Sequence, residues 1–102
     1  MPTIQFFQPH EGRSFDGPLD PNELLIRHPA ATFFLRAGSE AREFGIRAGD
    51  LLVVDRALDP SYGQPVAVVR GGEIVIERFQ RPAGEEELEL WGAIAHVIRS
   101  FV

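Results

Sequence analysis

The sequence feature that most constrains the fold is a Gly-Asp turn followed by a short apolar run. Gly49 and Asp50 are residue types that favour turns, and residues 51–54 are apolar, partly β-branched and too few for a helix. This pattern predicts a buried central strand. Because the run is apolar on both faces, other segments must cover both faces, which favours a small barrel or sandwich over an open sheet.

Chain length and hydropathy set the next limits. A chain of 102 residues is long enough for one domain with its own core and too short for two. No apolar run approaches the roughly 20 residues that a membrane helix needs. Residues 1–8 also lack the basic start and the apolar centre of a signal peptide. We therefore expect a cytoplasmic protein that does not contact a membrane.

Charge and residue types exclude several kinds of chemistry. The net charge of −5 disfavours direct binding to nucleic acid, which depends on clustered basic side chains, so any DNA contact is expected through a partner. Cysteine is absent, which excludes disulfides, thiol nucleophiles and thiolate metal sites. All 10 basic side chains are arginines, and an arginine cannot replace a lysine that acts as a deprotonated base.

The N-terminal segment differs in composition from the rest of the chain. Residues 1–19 are rich in Pro and Gly and also contain phenylalanines, which predicts an extended arm that docks on its own domain. Residues 20–102 are expected to form the β domain that the arm precedes.

A short helix is predicted at the start of that domain. Asp20 is a capping residue, Pro21 takes the first helical position, and Glu23 is an acid three residues after the cap. Pro29 ends the helix, because proline disfavours a helical conformation in the preceding His28.

Strands are predicted on both sides of the Gly-Asp turn. Residues 32–36 are β-branched and aromatic, and residues 37–44 form a loop that leads into the buried strand. Residues 66–70 and 73–79 flank Gly71-Gly72 and predict a β-hairpin. Alternation along its second strand places Ile74 and Ile76 towards the core and Glu77 on the opposite face.

The C-terminal segment is apolar on both faces. Residues 88–102 are predicted to form a strand pair or one long bent strand, with a bulge at Gly92. A terminal strand of this kind needs a second cover, which a second copy of the chain or the N-terminal arm would supply. Alternation places Ile94 and Ile98 on one side, and Val97 and Phe101 on the other. The predicted homodimer interface comprises Ile94, His96, Val97, Ile98 and Phe101.

Residue spacing alone reveals no catalytic or cofactor site. His10, His28 and His96 lack the spacing of metal ligands, so we expect neither a metal nor a cofactor. None of the four serines lies in the Gly-x-Ser-x-Gly turn of a hydrolase. Gly71-Gly72 is not followed by the helix of a phosphate-binding loop.

Several motifs occur in the order found in one known family. They are residues 24–34 with the sequence LLIRHPAATFF, Gly45-Ile46, residues 49–55 with the sequence GDLLVVD, Trp91-Gly92, and His96-Val97 followed by Arg99. Together they resemble the C-terminal domain of the UmuD and LexA-type self-cleaving serine peptidases, over residues 20–102. The resemblance implies a curved, mostly β domain with one short helix. It also implies a homodimer sealed by C-terminal strands and a role in the SOS response to DNA damage, beside a UmuC-like error-prone polymerase.

The chain departs from this family at the catalytic residues. The family's nucleophilic serine lies six residues before the isoleucine of the Gly-Ile pair, a position that matches Glu40 here, with Ser39 one residue away. The family's lysine base matches Glu77. A serine hydroxyl is a weak nucleophile without a positioned base, and residues 1–19 contain no Ala-Gly or Cys-Gly cleavage pair.

These departures favour a non-catalytic, UmuD-like dimeric accessory protein that binds a UmuC-like translesion DNA polymerase. One alternative is a self-cleaving peptidase that uses Ser39 with Glu77 or His28 as an unorthodox base. Another is a structural dimer with an unrelated protein target.

Overall fold

The computed structural model describes residues 20–80 and 89–102, and within these ranges the chain is mostly β. The helix α1 spans Pro21–Leu25, and single 3-10 turns span Pro29–Ala31 and Arg42–Phe44. The strands are β1 (Thr32–Arg36), β2 (Leu51–Asp55), β3 (Pro65–Arg70), β4 (Glu73–Arg78) and β5 (Leu90–Ile98). The predicted fold class is thereby confirmed. The predicted arm, residues 1–19, and the acidic residues 85–87 lie outside the described residues.

The helix begins where the sequence predicts. The Asp20 carboxylate accepts a hydrogen bond from the Asn22 N–H at 3.0 Å, which satisfies one of the donors left free at a helix start. Pro21 occupies the first turn, and the helix ends at Leu25 with Ile26 extended. Pro29 therefore lies beyond the helix and begins the following 3-10 turn.

The strands form one antiparallel sheet in the order β1-β2-β5-β3-β4. Four of the five residues of β2 are buried, as predicted, but β2 is not the middle strand. The middle strand is β5, which pairs with both β2 and β3. Among the described strands the sheet stays open, with β1 and β4 at its edges, so curvature rather than closure covers the core.

The β3–β4 hairpin turns at Gly71-Gly72, as predicted. Arg70 pairs with Glu73, and both turn glycines have positive φ, at 59° and 83°. Ile76 packs against the core cluster. Ile74 lies on the same inner face, as predicted, but near the hairpin tip its side chain is 44% exposed and lines a groove instead of the buried core.

Two bulges interrupt β5 and change which side chains share a face. The first bulge leaves Trp91 unpaired, because Ala67 pairs with Gly92 while Val68 pairs with Leu90. It lies one residue before Gly92, the position predicted from the sequence. The second skips Ala95, because Val53 pairs with His96 while Val54 pairs with Ile94. Ile94 and Val97 therefore face the same side as their partners Val54 and Leu52, and Ile98 faces the other side. The simple alternation predicted for this segment is wrong for that reason.

Gly92 lies where β5 crosses close to the end of β2. A Cβ at this position would be 2.7 Å from Val54 Cγ1 and 3.1 Å from Arg56 Cγ. The glycine lets the two strands approach within van der Waals distance.

Both faces of the sheet are covered, as the apolar run of β2 requires. On the inner face, Leu52, Val54, Ala67 and Ile94 join Ile46 in one buried cluster. On the outer face, Val53, Val66 and Val68 are fully buried. Within the described residues, no helix is long and apolar enough to cross a membrane.

Candidate functional site

A groove of about 540 Å³ lies between the two edge strands on the inner face of the sheet. Residues 35–41, at and after the end of β1, form one wall, and residues 73–76 of β4 form the other. Leu52 and Ala67 form the floor. Strands at opposite edges of the sheet line the same groove, so the sheet curls strongly here. The sequence-predicted residues Ser39 and Glu40 lie on its rim.

Backbone hydrogen bonds fix the loop that carries Ser39 and Glu40. Beyond β1, the Ala37 N–H donates to the Asp50 carbonyl oxygen at 2.8 Å. Ala41 and Ile46 then exchange two hydrogen bonds of 2.9 and 3.1 Å, which close a tight turn. Gly45 ends this turn in the left-handed region at φ 71°, a conformation that favours glycine.

An ion pair with a buried carboxylate joins this loop to the C-terminal strand. Asp50 is only 3% exposed and accepts hydrogen bonds from the Arg99 guanidinium at 2.6 and 2.7 Å and from the Arg47 N–H at 2.8 Å. Arg99 also donates to the Gly45 carbonyl oxygen at 2.8 Å. The bonds from Arg99 and from the Arg47 N–H lower the pKa of Asp50 from 3.8 to about 2.

The two carboxylates matched from the sequence to the family's catalytic positions both pair with arginines. Glu40 accepts a hydrogen bond from Arg42 Nε at 3.2 Å on the exposed rim. Glu77 accepts two bonds from the Arg70 guanidinium, the one from Nη2 measuring 2.7 Å. The Arg70 bond lowers the pKa of Glu77 although partial burial opposes it. Glu77 follows Ile76, the last residue of the β4 wall, and is not one of the described groove-lining residues.

Within the described residues, the Ser39 hydroxyl forms no hydrogen bond to another side chain that could act as its base. His28 lies at the opposite end of β1, where the Thr32 hydroxyl donates to its carbonyl oxygen at 2.8 Å. Five strand residues at about 3.3 Å each keep His28 more than about 13 Å from the Ser39 loop.

His28 instead forms a pair with a buried aspartate at the end of β2. Its Nδ1 lies 2.7 Å from Asp55 Oδ2, and the Ala57 N–H donates to the other carboxylate oxygen at 2.9 Å. Burial opposes ionisation of Asp55, but these two hydrogen bonds outweigh it and lower the pKa of the carboxyl.

The predicted dimer residues divide into buried and exposed ones. Ile94 is 6% exposed and belongs to the protomer's own core, so its side chain has little area left for a partner. His96 is half-buried, while Val97 and Ile98 are both more than one-third exposed. Phe101 is 95% exposed. Of the predicted dimer residues, the exposed apolar ones therefore lie at the end of β5 and just beyond it.

Sequence reasoning missed two clusters. One is the Asp50–Arg99 pair. The other is an aromatic cluster in which the Arg56 guanidinium lies 4.4 Å from the Trp91 ring centroid and Phe33 packs edge-on against Trp91 at 5.4 Å. The single tryptophan and the arginine that directly follows β2 were the available signals for the second cluster, but nothing in the sequence paired them.

The described residues contain no group of three or more His, Asp or Glu side chains that could hold a metal ion.

Comparison with known proteins identifies the family. The sequence model of the Peptidase S24-like family matches residues 6–90. The chain belongs to the Peptidase S24-like family. Protein ImpA of Escherichia coli, to which it is similar, is 40% identical over 97 residues, covering 78% of this chain and 67% of ImpA. Protein MucA of Salmonella typhimurium is 34% identical over 97 residues, covering 76% of this chain and 66% of MucA.

A repressor is among the other relatives of this S24-like chain. The LexA repressor of Cellvibrio japonicus is 39% identical over 64 residues, covering 62% of this chain but 32% of the repressor. The chain therefore spans about two thirds of the length of ImpA and MucA, and about one third of that repressor.

Proposed function

We propose that this S24-like chain is a non-catalytic, UmuD-like accessory protein of the SOS response. It acts in the cytoplasm as a homodimer and binds a UmuC-like error-prone DNA polymerase. The observation that carries the loss of catalysis is that the two dyad positions hold Glu40 and Glu77, each paired with an arginine.

The chemistry of self-cleavage needs a base that removes the serine proton as the bond to the carbonyl carbon forms. Glu77 is a poor base, because its hydrogen bonds from Arg70 stabilise the ionised form and lower the pKa of its carboxyl. His28 is at the other end of β1, and its Nδ1 is engaged by Asp55. No lysine exists to replace either residue.

Membership of the family and the similarity to ImpA and MucA support the UmuD-like part of the proposal. The exposed Val97, Ile98 and Phe101 support a dimer, because apolar side chains left exposed on both faces at the end of a strand need a further cover. Retention of the groove without its dyad favours a binding role over a catalytic one.

Incubation at raised pH tests the loss of catalysis. The purified chain is held at alkaline pH beside a family member that keeps the serine and the lysine, and both are followed by intact mass. We expect the control to be cleaved and this chain to keep its full mass. A cleavage product that disappears in Ser39→Ala would establish the peptidase alternative.

Co-expression tests the partner. A UmuC-like polymerase from the same genome is expected to co-purify with the chain, and Phe101→Asp should weaken capture if the dimer is the binding form. A stable dimer that fails to bind the polymerase would favour the structural-dimer alternative, in which the target is unrelated.

A further inference from the structure

A second pocket, of about 400 Å³, lies at the end of the sheet where β1 ends, β2 begins and β5 ends. Three arginines line it: Arg36, Arg47 and Arg99. They come from three separate segments, so only the folded chain brings them together. We name this site the arginine pocket.

Within residues 20–80 and 89–102, neither Arg36 nor Arg47 has a carboxylate at hydrogen-bond distance. Of the acids in these ranges, only Asp50 lines the pocket; it is buried and engaged by two N–H groups of Arg99, and the Arg47 charge acts on it from a greater distance. Arg36 donates one hydrogen bond, to the Gly49 carbonyl oxygen at 3.0 Å. Within the described residues, the Arg47 guanidinium forms no hydrogen bond or ion pair. Each guanidinium has five N–H donors, so, as far as the described residues go, most donors of Arg36 and Arg47 are open to a ligand.

Apolar side chains lie beside these charges. Arg36 pairs across the strands with Leu51, and Leu51 pairs with Ile98, so the three form one row on the outer face. Leu51 and Ile98 also line the pocket, and Ile98 is 37% exposed. A ligand that fits both features carries carboxylates next to an apolar side chain.

We propose that the arginine pocket binds an acidic segment of a partner protein, in which glutamate or aspartate alternates with apolar residues. Arg36 and Arg47 bind the carboxylates, and Leu51 contacts the apolar side chain, while Ile98 is left to the proposed dimer interface. Guanidinium groups suit this role because they bind carboxylates through two parallel hydrogen bonds. The proposal is independent of the polymerase and of the loss of catalysis.

Charge distribution favours a short acidic peptide over nucleic acid. The whole chain has a net charge of −5, so all residues other than Arg36 and Arg47 together carry −7 (−5 minus 2). A long polyanion such as a nucleic acid extends beyond the pocket and is repelled by the net negative charge of the other residues. A short acidic segment ends within the pocket and avoids this repulsion. Local attraction of this kind weakens as salt rises.

The test uses a fluorescent peptide that alternates glutamate and leucine, and a matched peptide with glutamine in place of glutamate. Arg47→Ala and Arg36→Ala should each weaken binding of the glutamate peptide by roughly tenfold, and the glutamine peptide should not bind measurably. Arg47→Ala is expected to fold normally, because the bond to Asp50 comes from the Arg47 backbone N–H. Circular dichroism and light scattering verify the fold and oligomeric state of each variant.

Arg27→Ala is the matched control, since it removes the same charge from an exposed arginine that does not line the arginine pocket. Unchanged binding in Arg27→Ala, with loss in the two pocket variants, would support the proposal. Equal weakening in all three variants, or no binding of the glutamate peptide to the native protein, would overturn it. An oligonucleotide that displaces the fluorescent peptide at a lower concentration than unlabelled peptide does would also overturn the proposal, because the pocket would then prefer phosphate.

Discussion

The Arg99 guanidinium donates two hydrogen bonds to the Asp50 carboxylate, at 2.7 and 2.6 Å, although the residues are 49 positions apart in the sequence. The same side chain donates to the Gly45 carbonyl oxygen. One arginine after β5 therefore holds both ends of the segment between Gly45 and β2. Since the turn that ends at Gly45 supports Ser39 and Glu40, the shape of the groove rim depends on the end of β5.

Replacing this arginine should destabilise the protein. Arg99→Gln leaves Asp50 buried with an uncompensated negative charge, which is among the more damaging changes in a protein interior. We expect a clearly lower melting temperature. Arg42→Gln removes an equally charged side chain whose partner, Glu40, is exposed, and should change the melting temperature little. Equal melting temperatures for the two variants would contradict this role of Arg99.

The cost of Arg99→Gln should depend on pH. Asp50 has a folded-state pKa of about 2 against an ordinary 3.8, so its ionised form stabilises the fold above about pH 4. That contribution is lost as pH falls from about 4 to about 2, because the unfolded chain binds the proton first. Urea unfolding of the native protein and of Arg99→Gln should give free energies of unfolding that differ most above pH 4. The difference should shrink as the pH falls below 4. A difference that stays constant down to pH 2 would argue against a charge effect.

Gly92→Ala should be destabilising by about 1–3 kcal/mol, the usual cost of overpacking a core. The new Cβ would lie 2.7 Å from Val54 Cγ1, so one of the two strands must move. Adding Val54→Ala removes the atom in conflict, and the double variant should lose less stability than the sum of the single ones. Gly38→Ala is the control, since a Cβ there meets nothing within 4 Å. Stability is measured by urea unfolding. If the loss in the double variant equals the sum of the losses in Gly92→Ala and Val54→Ala, the strain does not come from the contact with Val54.

The predicted dimer is tested at the end of β5. Ile98→Asp and Phe101→Asp should each yield monomers, because a symmetric interface meets an introduced charge on both subunits. Phe101 is 95% exposed in the protomer, so its variant should fold normally and report association alone. Ser61→Asp, in an exposed turn, should keep the native oligomeric state. Size-exclusion chromatography with light scattering measures the oligomeric state of the native protein and of each variant. A native protein that runs as a monomer would refute the dimer.

Restoring the family's lysine should not restore cleavage. Glu77→Lys places an ammonium beside Arg70, so we expect about 1 kcal/mol of destabilisation from lost attraction and added repulsion. Glu77→Gln loses only the attraction and should fall between the native protein and Glu77→Lys. Intact mass at alkaline pH is expected to stay unchanged in both variants. Cleavage in Glu77→Lys would show that Ser39 lies within reach of this position.

Local chemistry in the sequence predicted much of this fold. The Asp20 cap, the Gly71-Gly72 turn and the apolar run of β2 each act through neighbouring residues, and the structure has all three. Such features depend on backbone preferences that a few residues determine.

Features set by distant residues could not be predicted. The middle position of β5 depends on pairing with two strands, and the pairing of Asp50 with Arg99 joins residues in different segments. Alternation failed for the last part of β5 because an unpaired Ala95 leaves no clear mark in the sequence. The groove was anticipated only through the resemblance to the S24-like family, since Ser39 and Glu40 carry no recognisable spacing of their own.

The bulge at Ala95 makes the number of residues in β5 as informative as their identity. Deleting Ala95 would let Ile94 and His96 occupy consecutive rungs of the ladder, while Val97 and Ile98 would keep the faces set by their partners Leu52 and Leu51. The deletion would remove the extra residue that bends β5 and increases its local twist. Relatives that lack this residue should therefore present the same strand tip from a straighter strand.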